Sequence, residues 1–424
     1  MKRFIIKGPN KAIKADLNIS GAKNACLPLM AASILFKNKV TLKNVPFVKD
    51  VYTMKDLLIS LGAKVEFSVP KKIIIISNIK NHKLLVPYNL VSTMRAGVLT
   101  MGSLLGRYPK KKIKVALGGG CALGVRDTNW HLAGFKSLGA KNDLHNGYVN
   151  ISTKKGLKGS NYKFPKVTVT GTSNLIMASI FAKGTQYIKN ISIEPEVIDL
   201  INFLNDSGAK IKFIGKRSIK IDGVKELIDG NHTIIGDRIE AFSYLCVAGI
   251  TKGKIKINNI NPKFLQSEIN VLKKIGYKIE STINSIKLTS GDKFKPVNIK
   301  TGPYPNFATD NMPIVLALLT KINGKSQIEE TIFSNRFMAA PELNRMGANI
   351  TVKKNKAIII GQKKLNAADC ISSDLRTTFS IILGAIAAKG VSTISRVYHG
   401  LRGYYNLESK LRKIGVKITS KDKW

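Results

Sequence analysis

The stretch DLLISLGAKVEF, residues 56–67, packs a helix end, a glycine and the start of a strand into twelve residues. Leu57, Leu58 and Leu61 fall at helical spacing, Gly62 is suited to the left-handed residue that closes a helix, and Val65 and Phe67 alternate as in a strand. The same punctuation returns in LAGFKSLGAKND (132–143), INFLNDSGAKIKF (201–213), INVLKKIGYKIE (269–280), PELNRMGANITV (341–352) and ESKLRKIGVKIT (408–419). The stop glycines, Gly62, Gly139, Gly208, Gly276, Gly347 and Gly415, lie 77, 69, 68, 71 and 68 residues apart. The chain is read as six copies of one unit of about 70 residues.

Downstream of each glycine a short turn and a second strand follow, as in AKVEFSVPKKIIIIS and ANITVKKNKAIIIG. Upstream recurs a helix that is apolar nearly all round: GAKNACLPLMAASILF, STMRAGVLTMGSLLGR, GTSNLIMASIFAKG, DRIEAFSYLCVAGITKG, ATDNMPIVLALLTKING and DLRTTFSIILGAIAAKG. Such helices belong inside and the more polar ones outside, so each unit runs helix, strand, helix, strand, strand. The fold class expected is α/β, with buried helices inside and sheets and helices outside.

If an inner helix runs from one end of its unit to the other, the next strand returns and the loop after it lies back at the helix N-terminus. Polar residues at these two places should meet: Lys23, Arg95, Asp237, Asp310 and Arg376 at helix starts, with Cys121, Arg126 and Arg402 in loops. Helix N-termini present free N–H groups and favour anions, so an anion-binding cleft is expected there. Asp237 and Asp310 also suit a plainer role as helix caps.

Composition narrows the class. A chain of 424 residues exceeds one ordinary core, and 44% hydrophobic with 22% charged residues is the make-up of a folded protein. CLPLMAASILF and FSIILGAIAA fall short of the roughly 20 residues of a membrane span, and MKRFIIKGPN does not read as a signal peptide, so a cytoplasmic protein is expected. Cys26, Cys121, Cys246 and Cys370 form no C-x-x-C pair and the five histidines are scattered, which points to chemistry without a metal. The net charge of +43 suggests a polyanion, yet the basic residues run along the whole chain without an aromatic-basic motif. Nucleic acid is therefore not the expected partner. Twelve arginines stand among 57 lysines, so each arginine marks a place where a planar fork is used against the local habit.

Five segments together resemble the UDP-N-acetylglucosamine 1-carboxyvinyltransferases, a family of enolpyruvyl transferases: SGAKNACLPLMAA (20–32), GGGCALGVR (118–126), PYPNFATDNM (303–312), ETIFSNRFMAAPELNRMGA (330–348) and RGY (402–404). The resemblance spans the chain with the motifs in the family's order. It implies a two-domain inside-out α/β barrel of three units per globule, one globule at 22–235 and the other at 1–21 plus 236–424, with the active site in the cleft between them. The implied reaction moves the enolpyruvyl group of phosphoenolpyruvate to the 3-hydroxyl of UDP-N-acetylglucosamine and releases phosphate, the first committed step of peptidoglycan synthesis. It implies these two small-molecule substrates, no cofactor, no metal and no membrane, and we expect a monomer.

The resemblance also implies roles. Asp310 takes the hydroxyl proton, and Cys121 is the loop proton donor, able to form an adduct with phosphoenolpyruvate and to be alkylated by the epoxide fosfomycin. Lys23, Asn24, Arg126 and Arg402 hold phosphoenolpyruvate. Arg95, Arg126, Asn129, Thr170, Gly171, Asp310 and Ile332 line the nucleotide-sugar site, with Arg376 in support. Cations near Cys121 would lower its thiol pKa, and the flanking glycines would let the loop close. Cys26, Cys246 and Cys370 read as packing residues.

Some positions depart from the family. Asp127, Thr128, Asn129, Trp130 and His131 stand where the family reads Pro-Val-Asp-Leu-His, and VTGTS at 169–173 replaces Ser-Val-Gly-Ala-Thr. Leu401 and Tyr405 replace an Asp and a Glu around RGY. Weaker hold on uridine is expected. Two rival readings are a synthase acting on shikimate 3-phosphate, which shares the six-unit fold but lacks the cysteine loop, and a catalytically decayed basic scaffold that binds RNA.

Overall fold

The computed structural model describes residues 2–77, 82–92, 94–117 and 128–422. Twelve helices of seven or more residues are found among them: α1 (Lys23–Ala32), α2 (Lys49–Ser60), α3 (Thr100–Arg107), α4 (Asn129–Ser137), α5 (Val169–Ser179), α6 (Pro195–Asp206), α7 (Arg238–Ile250), α8 (Gln266–Ile275), α9 (Met312–Leu319), α10 (Ala339–Arg345), α11 (Leu375–Ala387) and α12 (Leu407–Lys413). The odd-numbered helices are the inner ones: all thirteen residues of α7 and all eight of α9 are buried. The even-numbered ones are outer, with one apolar face turned inward, as in α8, where Ile269, Leu272 and Ile275 are buried and the lysines are not.

All six outer helices end alike. Gly62, Gly139, Gly208, Gly276, Gly347 and Gly415 have φ between 85° and 121°. The glycine N–H reaches back three residues while the next N–H reaches back five, as in Gly62 to Ile59 (2.8 Å) and Ala63 to Leu58 (3.0 Å). This Schellman pattern satisfies orphan carbonyls and throws the chain directly into a strand, which is why the sequence repeat is legible at the glycine.

The chain divides into two compact units, one of residues 21–117 and 128–235, the other holding residues 2–20 and 236–422. Each has three sheets with one common order: a leading strand lies parallel to the strand that follows the inner helix, and two further strands, a hairpin in five of the six sheets, pair antiparallel beyond it. In the second unit the three inner helices α7, α9 and α11 touch one another, and their apolar side chains form one continuous core with the inward faces of the sheets. In the first, α3 and α5 approach so closely that a Cβ on Gly102 would lie 2.2 Å from the Asn174 carbonyl oxygen.

The sixth unit departs from the linear repeat. Its third strand is supplied by the N-terminus: Lys2–Gly8 lies between Ala388–Ser395 and Ile418–Asp422, antiparallel to both. The next N-terminal strand, Lys14–Asn18, leads the fourth unit's sheet beside Lys254–Asn258. Likewise Gly230–Thr233, which precedes α7 in sequence, leads the first unit's sheet beside Lys39–Lys43. Each compact unit is thus a ring closed by a strand far away in sequence.

Candidate active site

In the unit of residues 2–20 and 236–422, the starts of α7, α9 and α11 come within electrostatic reach of one another. Asp237 caps α7, accepting from the N–H groups of Ile239 (2.9 Å) and Glu240 (3.0 Å), which is the plain cap role. Asp310 is used otherwise: it lies in the turn Thr309–Asn311 before α9, and both its carboxylate oxygens accept from arginines. Arg336 Nη2 donates to Oδ1 at 2.8 Å, and Arg376 donates to Oδ2 from Nη2 at 2.9 Å and Nε at 3.2 Å.

Both arginines are deeply buried, with side chains 2% and 4% exposed against 29% for Asp310. Arg336 is fixed by a further bond from Nε to the Thr309 carbonyl (3.0 Å). Arg376 lies over the Tyr404 ring, whose hydroxyl meets Ser243 Oγ at 2.9 Å. Burial opposes its charge, but Asp310, Tyr404 and Asp237 outweigh that and raise its pKa, so it stays a cation. Its Nη1 is buried and makes no hydrogen bond.

Glu330 accepts from Thr309 Oγ1 (2.9 Å) and from the N–H groups of Ile332 (2.7 Å) and Phe333 (3.1 Å), fixing the segment that carries Ile332, which is itself partly exposed. Arg402 ends the turn Val397–Arg402 and is half-buried.

In the other unit, Lys23 is the first residue of α1 and pairs with Asp50 at 3.4 Å, while Asn24 is exposed. Arg95 opens the turn that leads into α3. Thr170 and Gly171 lie in the first turn of α5, where Gly171 N–H donates to the Thr168 hydroxyl (3.2 Å), and Asn129 is the exposed first residue of α4. His131 links these elements: its Nε2 lies 3.3 Å from Thr170 Oγ1, its Nδ1 2.9 Å from Asn174 Nδ2, and Arg95 acts on its charge. Cys121 and Arg126 lie outside the described residues.

Burial, and then the Arg95 charge, push the His131 imidazole down to about 4. In the unfolded chain the ring titrates near the ordinary value of about 6.5. Between these values the unfolded state holds the extra proton, so stability falls as the pH drops from about 6.5 toward 4, by up to roughly 3 kcal/mol from this group. Thermal melts across that window should fall more steeply for the wild type than for His131→Gln; parallel curves would contradict this.

Sequence reasoning named Asp310 and Arg376, and the structure brings them together. It does not single out Arg336, which lies within ETIFSNRFMAA. The available signal is compositional: among the described residues the buried lysine and arginine side chains are Arg238, Arg336 and Arg376, all arginines. It also passes over Asn174 and its bond to His131, because a buried Asn in an apolar helix carries no distinctive spacing.

Residues 7–411 match the family described as EPSP synthase (3-phosphoshikimate 1-carboxyvinyltransferase). Among curated proteins, the chain is 47% identical over 418 residues to a UDP-N-acetylglucosamine 1-carboxyvinyltransferase of Pelagibacter ubique, covering 99% of both chains. Proteins of the same description from Rickettsia bellii (42%, 99% of both chains) and Helicobacter pylori (43%, 96% of both) are similar too. Among solved structures, the enolpyruvyl transferase NikO from Streptomyces tendae superposes with a TM-score of 0.88 at 20% identity, covering 99% of both chains. An EPSP synthase from Acinetobacter baumannii gives 0.78 at 18% identity over the full length of both. These two structures bear out the α/β fold.

Proposed function

The chain belongs to the enolpyruvyl transferase family, and from that premise we infer that it is a transferase moving the enolpyruvyl group of phosphoenolpyruvate to the 3-hydroxyl of UDP-N-acetylglucosamine. Phosphate is released, and the reaction is the first committed step of peptidoglycan synthesis. The observation that carries this reading is the 47% identity, over 99% of both chains, to a relative of that description.

The chemistry needs four things: a base at the hydroxyl, an acid at the methylene carbon, and cations for phosphate and for carboxylate. We assign the base to Asp310, which the two arginines orient. The hydroxyl oxygen bonds to C2 of the enol as its proton leaves, and the methylene C3 takes a proton from Cys121. That addition yields a saturated, phosphate-bearing centre. Return of a C3 proton to the Cys121 thiolate then drives out phosphate, which takes the proton held by Asp310, and restores the double bond, so atoms and charge balance without a redox step. Lys23, Asn24, Arg126 and Arg402 are assigned to phosphoenolpyruvate, with Arg376 in support. Arg95, Arg126, Asn129, Thr170, Gly171 and Ile332 are assigned to the nucleotide-sugar.

No helix among the described residues is long and apolar enough to cross a membrane. A cytoplasmic monomer without a nucleic-acid partner goes with this reading, and gel filtration over a range of salt, with and without RNA, checks it.

The direct test is phosphate release from phosphoenolpyruvate with UDP-N-acetylglucosamine, with shikimate 3-phosphate, or with no acceptor. Release with the first alone is expected; release with none of them would overturn the assignment. Fosfomycin provides a second check. Burial pushes the thiols of Cys26, Cys246 and Cys370 upward, to about 12 for Cys370, so at neutral pH they are protonated and poor nucleophiles. Mass spectrometry should therefore find one adduct, on Cys121, and an adduct on any other cysteine would contradict the assignment.

A further inference from the structure

Asn174 lies buried in α5 and makes three side-chain hydrogen bonds near His131. Its Oδ1 accepts from the Gly102 N–H at 2.7 Å, and its Nδ2 donates to the Val98 carbonyl at 3.0 Å. A backbone N–H can only donate and a carbonyl can only accept, so these two groups fix which end of the amide is oxygen. The second hydrogen on Nδ2 then points at His131 Nδ1, 2.9 Å away, which must accept it. With Nδ1 bare, the neutral ring carries its proton on Nε2. That N–H faces Thr170 Oγ1 at 3.3 Å and occupies the hydroxyl as an acceptor. The hydroxyl's own hydrogen is left to point elsewhere, from the first turn of α5 and beside Gly171.

We propose that Asn174 is a positioning residue which, through the imidazole of His131, fixes the Thr170 hydroxyl as a hydrogen-bond donor to an anionic oxygen of the nucleotide-sugar, the charge that the first turn of a helix favours. This rests on the function inferred above and names a group that the sequence assigned no part. No proton is transferred; the chain of bonds sets directions only. Its starting point is rigid, because the close approach at Gly102 locks α3 against Asn174. The His131 ring is itself buried, so water does not compete for either nitrogen. Burial and Arg95 both favour the neutral ring that this chain of bonds requires.

Asn174→Asp reverses the order. A carboxylate accepts from Nδ1–H, Nε2 becomes an acceptor, and the Thr170 hydroxyl turns inward to donate to it. The first measurement is the histidine ring nitrogen spectrum of the unliganded protein, with His131 assigned by loss of its signals in His131→Gln. The wild type should show a bare Nδ1 and a protonated Nε2, and Asn174→Asp a protonated Nδ1. The second is steady-state kinetics. Asn174→Asp and Thr170→Val should each raise KM for UDP-N-acetylglucosamine by about tenfold, the loss of one hydrogen bond to a charged group. KM for phosphoenolpyruvate and kcat should stay within about threefold, and Thr170→Ser should restore wild-type KM.

The double variant decides. If Asn174 acts through the Thr170 hydroxyl, Asn174→Asp with Thr170→Val is no worse than Thr170→Val alone. Penalties that multiply to about a hundredfold would mean that the new carboxylate repels the ligand or disturbs the fold independently, and would overturn the proposal. A wild-type ring protonated at Nδ1 would overturn it as well. Failure of the wild type to bind UDP-N-acetylglucosamine would bring down the function itself, whereas binding that is indifferent to Thr170 brings down this inference alone.

Discussion

Asp310→Ala is expected to lower kcat by about 10²- to 10⁴-fold, the range for loss of a general base, and to destabilise the fold at the same time. The second effect follows from what the carboxylate faces. Arg336 and Arg376 are almost wholly buried and spend three hydrogen bonds on it. Removing the shared anion leaves two desolvated cations side by side, a loss of about 3–5 kcal/mol for one such broken pair. The two effects separate in a second variant: Asp310→Ala combined with Arg336→Met removes one stranded charge and should recover much of the stability while turnover stays low. Phosphate release and denaturant melts on the same preparations check both. Turnover of Asp310→Ala within tenfold of wild type would remove Asp310 from the role of base.

Deleting residues 1–18 should abolish folding of the unit that holds residues 236–422. Phe4, Ile6, Ile13 and Leu17 are each at most 3% exposed. At about 1.5–3 kcal/mol for each fully buried apolar side chain, their loss approaches the 5–15 kcal/mol that stabilises a typical domain. The deletion also strips hydrogen-bond partners from Ala388–Ser395, Ile418–Asp422 and Lys254–Asn258. The other unit, closed by its own Gly230–Thr233, should survive. Limited proteolysis should therefore leave a resistant fragment from residues 21–235 and degrade the remainder. A truncated chain that melts like the full one would refute this.

Much of the architecture could be read from the chain because the repeat is written in local chemistry. A glycine that must be left-handed, an apolar helix and a short hairpin leave marks within a few residues of one another, six times over. The ownership of strands leaves no such mark. Nothing around Phe4 or Ile6 says that their partners lie beyond residue 387, since strand pairing is decided by sheet completion. At the site, residues at inner-helix starts were readable from topology, and Asp310 and Arg376 do meet. Arg336 comes from the loop before an outer helix, a place that inner-helix topology does not mark. The Asn174 amide was invisible for another reason: its importance lies in two backbone groups, Gly102 and Val98, which no side-chain pattern reports.

The ring closures also set a timetable for synthesis. Residues 2–8 leave the ribosome about 380 residues ahead of their partners at 388–395. At about 5–20 residues per second that is a delay of roughly 20–80 s, during which an apolar strand has nothing to pair with. Residues 21–235, by contrast, can close their own ring as soon as Gly230–Thr233 emerges. The nascent chain should therefore carry one finished unit and the waiting strand Lys2–Gly8 until residues 388–395 emerge, the interval in which a chaperone or an edge-to-edge encounter with another chain has its opportunity.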